Sequence, residues 1–286
     1  MTKRVGLLGK PLKRRHSSVM HDAAFRAAGI DARYVLMEIE PDEVGPAVEA
    51  ARASDEWLGL GVTAPYKRLV ARLVDDVEAD AQAIGAVNNV VRRPDGRLVG
   101  INTDGPGFRV GVERAMGRSL ADTAVVVAGA GGAAHAVVYA CLTGGAARVT
   151  IGNRSLEGAE TLAARFASVG AAPPIATALD DDAFAAALGT ADVAVNATTV
   201  GMIHPGMTID VDRLPADATV FDLVYVPPET PLLRAARARG LRAANGSEML
   251  IAQAAIAFER WTGVSGMADV MREAVAPLLA DISGQA

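Results

Sequence analysis

The stretch from Thr123 to Ser155, TAVVVAGAGGAAHAVVYACLTGGAARVTIGNRS, constrains the fold more than any other. Ala124–Ala128 is a short β-branched apolar run, the composition of a strand buried on both faces. It runs into Gly129-Ala130-Gly131-Gly132-Ala133-Ala134, then into a helix-length apolar segment that stops near Thr143-Gly144-Gly145. A second strand, Arg148–Gly152, follows and ends at Asn153-Arg154-Ser155. Strand, glycine turn, helix and strand make one βαβ unit. Its glycine turn puts bare backbone N–H groups at a helix N-terminus, where a pyrophosphate is held by hydrogen bonds and the positive dipole end. Gly129 permits the tight turn, Gly131 lets a phosphate approach, and Ala134 lets the helix pack on the strand. No formal charge occurs between Asp122 and Arg148, but the glycines and His135 argue against a membrane span.

The end of the second strand speaks to which dinucleotide. An NAD site places Asp or Glu there to accept hydrogen bonds from the ribose 2′-OH. Here the strand ends in Asn153-Arg154-Ser155, with no carboxylate before Glu157. A guanidinium suits a 2′-phosphate as a bidentate donor, so NADP is expected, with NAD as the alternative.

Alternation of strand and helix extends in both directions. Before the unit, strands are expected at Arg4–Gly9, Tyr34–Ile39 and Trp57–Thr63. Helices are expected from about Ser18 to Ala28, capped by Ser17 or Ser18, and over Asp42–Ala53. Helical patterns carry the chain to Ile84, and Ala86–Arg93 with Arg97–Asn102 read as a hairpin around Pro94-Asp95-Gly96. A helix over Pro106–Met116 bridges to the βαβ unit. Beyond it come helices at 156–168, 181–188 and Thr230–Arg239, and strands at Pro174–Thr177, Asp192–Ala197, Thr219–Tyr225 and Leu241–Ala243. From Ser247 the chain reads as helical to its end. The stripe Leu250, Ala254, Ala257 and Trp261 must be buried, and with the second sheet complete it is expected to return to the first domain. The fold class is therefore α/β: an N-terminal α/β substrate domain (1–103 with 247–286) and a Rossmann-like, doubly wound parallel-sheet dinucleotide domain (104–246).

A chain of 286 residues, 51% hydrophobic and 21% charged, can build two such cores and is not disordered. A net charge of −5 offers no basic face for nucleic acid or an anionic membrane. Cys141, the single cysteine, falls on the helix after the glycine turn and is expected to be a packed thiol, which suits a cytoplasmic protein. Met1–Arg4 leads straight into a strand without the pattern of a signal peptide. His16, His21, His135 and His204 lack the spacing of metal ligands, so no metal is expected.

Residues at the carboxyl ends of first-domain strands are the candidates for chemistry: Lys67 after Trp57–Thr63, Asn88 at the hairpin and Asp104 at the crossing. Oxidising an alcohol by hydride transfer needs a group to take the hydroxyl proton and return it in reverse. A lysine is a poor base at its ordinary pKa of ~10.4. A neighbouring carboxylate would keep it charged, so Lys67 and Asp104 are treated as one coupled unit.

The pieces Gly9-Lys10-Pro11, Ser17-x-x-x-His21, VTAPYK at Val62–Lys67, AVNN at Ala86–Asn89, NTDG at Asn102–Gly105, GAGGAA at Gly129–Ala134, NRS at Asn153–Ser155 and NAT at Asn196–Thr198 occur in one order. Asp222 with Tyr225, and Gly246-x-x-Met249-Leu250 with Gln253, complete it. In that order and spacing the chain resembles the shikimate dehydrogenase family, which includes the quinate/shikimate dehydrogenases, over nearly its whole length. The resemblance implies reversible, NADP-linked reduction of a 3-dehydroshikimate-like ketone, with Lys67 as the catalytic lysine and Asp104 as its acidic partner. It implies substrate contacts from Thr63, Asn88, Asp104, Tyr225 and Gln253. Cofactor contacts are implied for Gly129, Ala130, Gly131, Gly132, Ala133, Asn153, Arg154, Ser155, Leu223 and Gly246. One departure stands out: the family's His-Ser-x-Ser-Pro, whose serines hold the substrate carboxylate, becomes Arg14-Arg15-His16-Ser17-Ser18. Ser17 keeps one serine and Arg15 replaces the other, either gripping a carboxylate with more charge and reach or pointing to solvent. Asn245 and Glu248 stand where the family usually has Asp and Gly. The expected partner is a small molecule, and the expected state a monomer or homodimer. The alternatives are a quinate-type enzyme using NAD or acting on another cyclic polyhydroxy acid, and a non-catalytic dinucleotide-binding protein.

Overall fold

A computed structural model describes residues 1–12 and 14–280 and divides them into two compact units, 1–104 with 251–278 and 105–250 with 279–280. The first unit opens with β1 (Lys3–Gly9), α1 (His16–Ala27), β2 (Ala32–Glu38), α2 (Val44–Ala53), β3 (Trp57–Val62) and α3 (Lys67–Val70). It continues with β4 (Asp76–Val77), α4 (Ala79–Ile84), β5 (Asn89–Arg92) and β6 (Leu98–Ile101). These strands form a six-stranded sheet in the order β2-β1-β3-β5-β6-β4, parallel except where β5 runs against β3 and β6. One face buries Leu8, Val44, Val48, Leu60, Val90 and Leu98.

The second unit follows with α5 (Asp104–Met116), β7 (Ala124–Ala128), α6 (Gly132–Thr143), β8 (Arg148–Asn153), α7 (Leu156–Arg165) and β9 (Ile175–Ala178). Then come α8 (Asp182–Leu188), β10 (Val193–Asn196), β11 (Thr219–Asp222), α9 (Pro231–Ala238) and β12 (Arg242–Asn245). Every neighbour in its sheet, ordered β12-β11-β10-β7-β8-β9, pairs in parallel. Alternation along β7 explains why: Val125 and Val127 enter one core with Val137 and Ile151, while Val126 and Ala128 enter another with Phe184 and Val220. This is the doubly wound sheet that the alternating pattern implies. Cys141 is buried in the first of these cores, and burial pushes its thiol pKa up.

The chain ends with α10 (Ser247–Thr262) and α11 (Ala268–Ala280). From Ile251 onward α10 belongs to the first unit, where Trp261 donates its indole N–H to Val90 O at 2.9 Å and Phe258 meets Phe25.

Several local expectations need correction. Neither Ser17 nor Ser18 caps α1: the helix begins at His16 with Arg15 in the cap position, and the Ser18 hydroxyl donates to Arg15 O at 2.9 Å. The expected helix from Asp42 is opened by a 3-10 turn, Pro41–Glu43, closed by a reciprocal Glu40/Glu43 capping box. The region read as continuously helical before Ile84 contains β4, whose two residues are too few to show a period. The terminal helix is broken between Thr262 and Ala268, where Gly263 and Gly266 take positive φ. Its expected continuation over 281–286 lies outside the described residues.

Candidate active site and dinucleotide cradle

Because β1 and β3 are parallel and β5 reverses between β3 and β6, one edge of the first sheet gathers the carboxyl ends of β1, β3 and β6 and the amino end of β5. Backbone bonds extend the pairing past the strands: Thr63 N to Leu8 O at 2.9 Å, Lys10 N to Ala64 O at 3.2 Å and Asn88 N to Ile101 O at 3.1 Å. Lys67, Asn88 and Asp104 thereby come together although widely separated in sequence. Lys67 Nζ donates to Asp104 Oδ2 at 2.5 Å, and the two side chains are 30% and 17% exposed. Asn88 Nδ2 donates to the other oxygen, Oδ1, at 2.8 Å. The carboxylate is therefore gripped at both oxygens, and it opens the first turn of α5, where a negative charge is favoured. Tyr66, just before the lysine, is buried and donates its hydroxyl to Ile39 O at 2.6 Å, which pins the start of α3.

Behind Asp104 lies a layer whose residues fall inside the AVNN and NTDG motifs but were not singled out as site residues. Asn89 Nδ2 donates to Thr103 Oγ1 at 2.9 Å and to Asn88 Oδ1 at 3.0 Å. Thr103 N also donates to Asn88 Oδ1, at 2.8 Å, and the Thr103 hydroxyl donates to Gln253 Oε1 at 3.3 Å. Asn102 Oδ1 accepts from Asp104 N at 3.0 Å. Two adjacent asparagines before a β-branched run are the signal that identifies this layer, because buried amides there require partners. Gln253 thus joins the network through α10. Thr63 lies on the same edge, half-buried. Arg15 is exposed and Ser17 half-buried at the start of α1; neither side chain is bonded to this network among the described residues.

In the second unit, β7 is followed by Gly129 at φ +114, and a Cβ there would lie 2.9 Å from Thr198 Cγ2 and 3.1 Å from the Ala197 carbonyl. Only glycine fits both the dihedral and the space. Ala130 is half-buried, while Gly131, Gly132 and Ala133 are exposed at the start of α6, whose cap makes no side-chain hydrogen bond. Those first-turn N–H groups and that open approach fit a dinucleotide pyrophosphate. At the end of β8 Arg154 is exposed and unpaired among the described residues, and the sequence offers no carboxylate from the end of β8 until Glu157. Asn153 Nδ2 donates to Ser155 O at 3.0 Å, and Ser155 caps α7 by accepting from Gly158 N at 3.4 Å. Leu223 and half-buried Tyr225 follow β11, and Gly246 follows β12. A Cβ on Gly246 would lie 2.2 Å from Leu223 O, so close backbone approach explains that glycine. Among the described residues no group of three potential metal ligands occurs, and no helix is long and apolar enough to cross a membrane.

Comparison with known proteins then decides the family. The family model described as the shikimate dehydrogenase substrate binding domain matches residues 7–90, that of shikimate / quinate 5-dehydrogenase matches 112–218, and that of the shikimate 5'-dehydrogenase C-terminal domain matches 246–276. The chain is 43% identical to a shikimate dehydrogenase (NADP(+)) of Symbiobacterium thermophilum, covering 98% of this chain and 95% of the relative. The chain belongs to the shikimate dehydrogenase family. A crystal structure of a shikimate dehydrogenase in complex with NADP+ superposes with a TM-score of 0.87 at 35% identity, covering 98% of this chain and 96% of that one. A quinate dehydrogenase from Corynebacterium glutamicum in complex with NAD superposes with a TM-score of 0.89 at 34% identity, covering 96% and 99%.

Proposed function

We propose that this protein is an NADP-dependent shikimate dehydrogenase, reversibly reducing 3-dehydroshikimate or a closely related ring ketone to the alcohol. The bound nicotinamide would supply or accept the hydride. Within the first unit, the Lys67 ammonium gives a proton to the oxygen that gains charge as the ketone is reduced, and accepts it in the reverse direction. Asp104 holds Nζ and is itself held by Asn88, so the proton carrier is oriented before substrate arrives. Asn88, Thr63 and Gln253 supply polar contacts to the ring hydroxyls from the same network. The second unit carries the cofactor: the Gly129–Ala133 turn for the pyrophosphate, Arg154 with Asn153 and Ser155 for the 2′-phosphate end, and Leu223 and Gly246 toward the nicotinamide. Tyr225 completes the substrate contacts.

The observation that carries this reading is the Lys67 Nζ–Asp104 Oδ2 contact of 2.5 Å with Asn88 on the opposite oxygen. Replacing Lys67→Ala is expected to lower kcat by ~10²-fold or more while NADPH still binds, as removal of an acid–base group does. Near wild-type turnover would remove Lys67 from the mechanism.

A second reading, a quinate-type enzyme or one using NAD, is favoured by exposed Arg15 in the carboxylate-holding segment and by the likeness to the quinate dehydrogenase. Values of kcat/KM for shikimate and quinate with each cofactor separate the two. A cytoplasmic setting suits the single buried thiol, and a monomer or homodimer is the proposed state, open to measurement by light scattering.

A further inference from the structure

At the carboxyl edge of the second sheet, three polar residues stand in one cross-strand row. Asn245 of β12 is in register with Asp222 of β11, and Asp222 with Asn196 of β10. Asn196 is in register with Ala128, the residue before the glycine turn. Each of the three ties down the segment that leaves its own strand. Asn245 accepts from Ser247 N at 3.1 Å and donates to Pro228 O at 2.8 Å. Asn196 accepts from the Thr198 hydroxyl at 2.7 Å and donates to Val200 O at 3.1 Å.

Asp222 is the middle member and the only charged one. It is 0% exposed, and its bonded partners are all neutral. Asn196 Nδ2 and Val224 N donate to Oδ1 at 2.9 and 3.0 Å, and the Thr230 hydroxyl donates to Oδ2 at 2.6 Å. A buried carboxylate without a cation is costly, and here three donors offset that cost, each of which an apolar side chain at this position would leave without an acceptor. The pattern of its bonds shows what the carboxylate achieves. Val224 N holds the beginning of the segment that follows β11, and Thr230 holds its end, so both ends of the Leu223–Thr230 loop close on one side chain. Through Asn196 the same carboxylate reaches Thr198, whose methyl packs where Gly129 has no Cβ. Two hydrogen bonds and one packing contact thus join Asp222 to the turn of the dinucleotide cradle.

We propose that Asp222 is a positioning residue for the transfer step: it fixes the loop bearing Leu223 and Tyr225 relative to the glycine turn that anchors the cofactor. The assignment rests on the dehydrogenase reading above. It predicts a division of effects, because the adenosine and phosphate end is held by groups outside the loop whereas the reacting end depends on the loop.

The test compares wild type with Asp222→Asn, Thr230→Val and Thr230→Ser. Three quantities are read: kcat and KM for shikimate with NADP, the primary deuterium effect with shikimate labelled at the reacting carbon, and the Kd of adenosine 2′,5′-bisphosphate. Asp222→Asn and Thr230→Val are expected to lower kcat at least tenfold and to raise the deuterium effect, with the fragment Kd within threefold of wild type. Thr230→Ser, which keeps the donor, is expected to recover most of kcat. Unchanged kcat in Asp222→Asn and Thr230→Val overturns the assignment. So does a loss of kcat that tracks loss of fragment binding with an unchanged deuterium effect, which marks a merely structural residue. If Asp222→Asn does not fold, the Thr230 pair decides by the same criteria. A wild type that binds the fragment but turns over no ring hydroxy acid overturns the dehydrogenase reading and this assignment with it.

Discussion

His21 is 2% exposed, lies 4.5 Å from the Tyr34 ring and 5.1 Å from that of Trp261, and its Nδ1 has no hydrogen-bond partner among the described residues. Burial lowers its pKa to about 3. The sign of the consequence follows: the unfolded chain takes up a proton near pH 6.5 that the folded chain refuses. Its contribution to stability is therefore complete above that pH and is lost progressively as pH falls toward 3. Between pH 6.5 and 4.5 this site alone removes roughly 2–3 kcal/mol. His21→Phe, which keeps the ring packing and deletes the titration, is expected to flatten that part of the profile in urea unfolding; an equal loss in both proteins would contradict it. On the proposed reading, Arg154 is the residue on which the cofactor preference turns. Arg154→Asp removes a charge-assisted donor and supplies an acceptor for a ribose hydroxyl, so the ratio of kcat/KM for NADP over NAD is expected to fall about 10- to 100-fold. An unaltered ratio would assign the 2′-phosphate to another group.

At the scale of the element, the glycine turn separates two demands that the motif merges. Gly129 is required by the backbone, since it combines φ +114 with neighbours that a Cβ would strike. Gly131 lies at φ −77, and a Cβ there meets nothing within 4 Å. Gly129→Ala is therefore expected to cost about 2 kcal/mol or more in urea unfolding. Gly131→Ala is expected to leave stability within ~0.5 kcal/mol while weakening NADP binding, because the added methyl occupies the phosphate approach. Equal destabilisation by both would mean that Gly131 serves the fold. Elements marked by an apolar run bounded by glycines or polar turns, such as β7, α6 and the strands beside them, were legible within a residue or two. What escaped was short or unpatterned: β4, the 3-10 turn before α2, and the break between α10 and α11. The start of α1 escaped because two serines offered a plausible cap that the backbone does not use.

The whole molecule consists of two units with separate sheets and separate cores. On the proposed reading the second unit binds the cofactor, so NADP at 100 times its Kd is expected to stabilise that unit by about 2.7 kcal/mol. Its calorimetric transition should rise by roughly 5–10 °C. Calorimetry is the measurement to use, because both tryptophans, Trp57 and Trp261, belong to the first unit and report on it alone. No shift at saturation would contradict the glycine cradle as the cofactor site.

The ordered motifs of the family resemblance gave Lys67 and Asp104 their expected roles, while local chemistry written along the chain determined the strand–turn–helix unit and the alternation of strand and helix in the second sheet. Each of these depends on side-chain periods and turn residues that act over a few positions. Pairing between distant strands decided the rest. Only the reversal of β5 between β3 and β6 brings Lys67 to Asp104. Only the return of α10 brings Gln253 to Thr103. And only the register of β10, β11 and β12 sets Asn196, Asp222 and Asn245 in one row, because no interaction confined to neighbouring residues specifies which strand ends will meet.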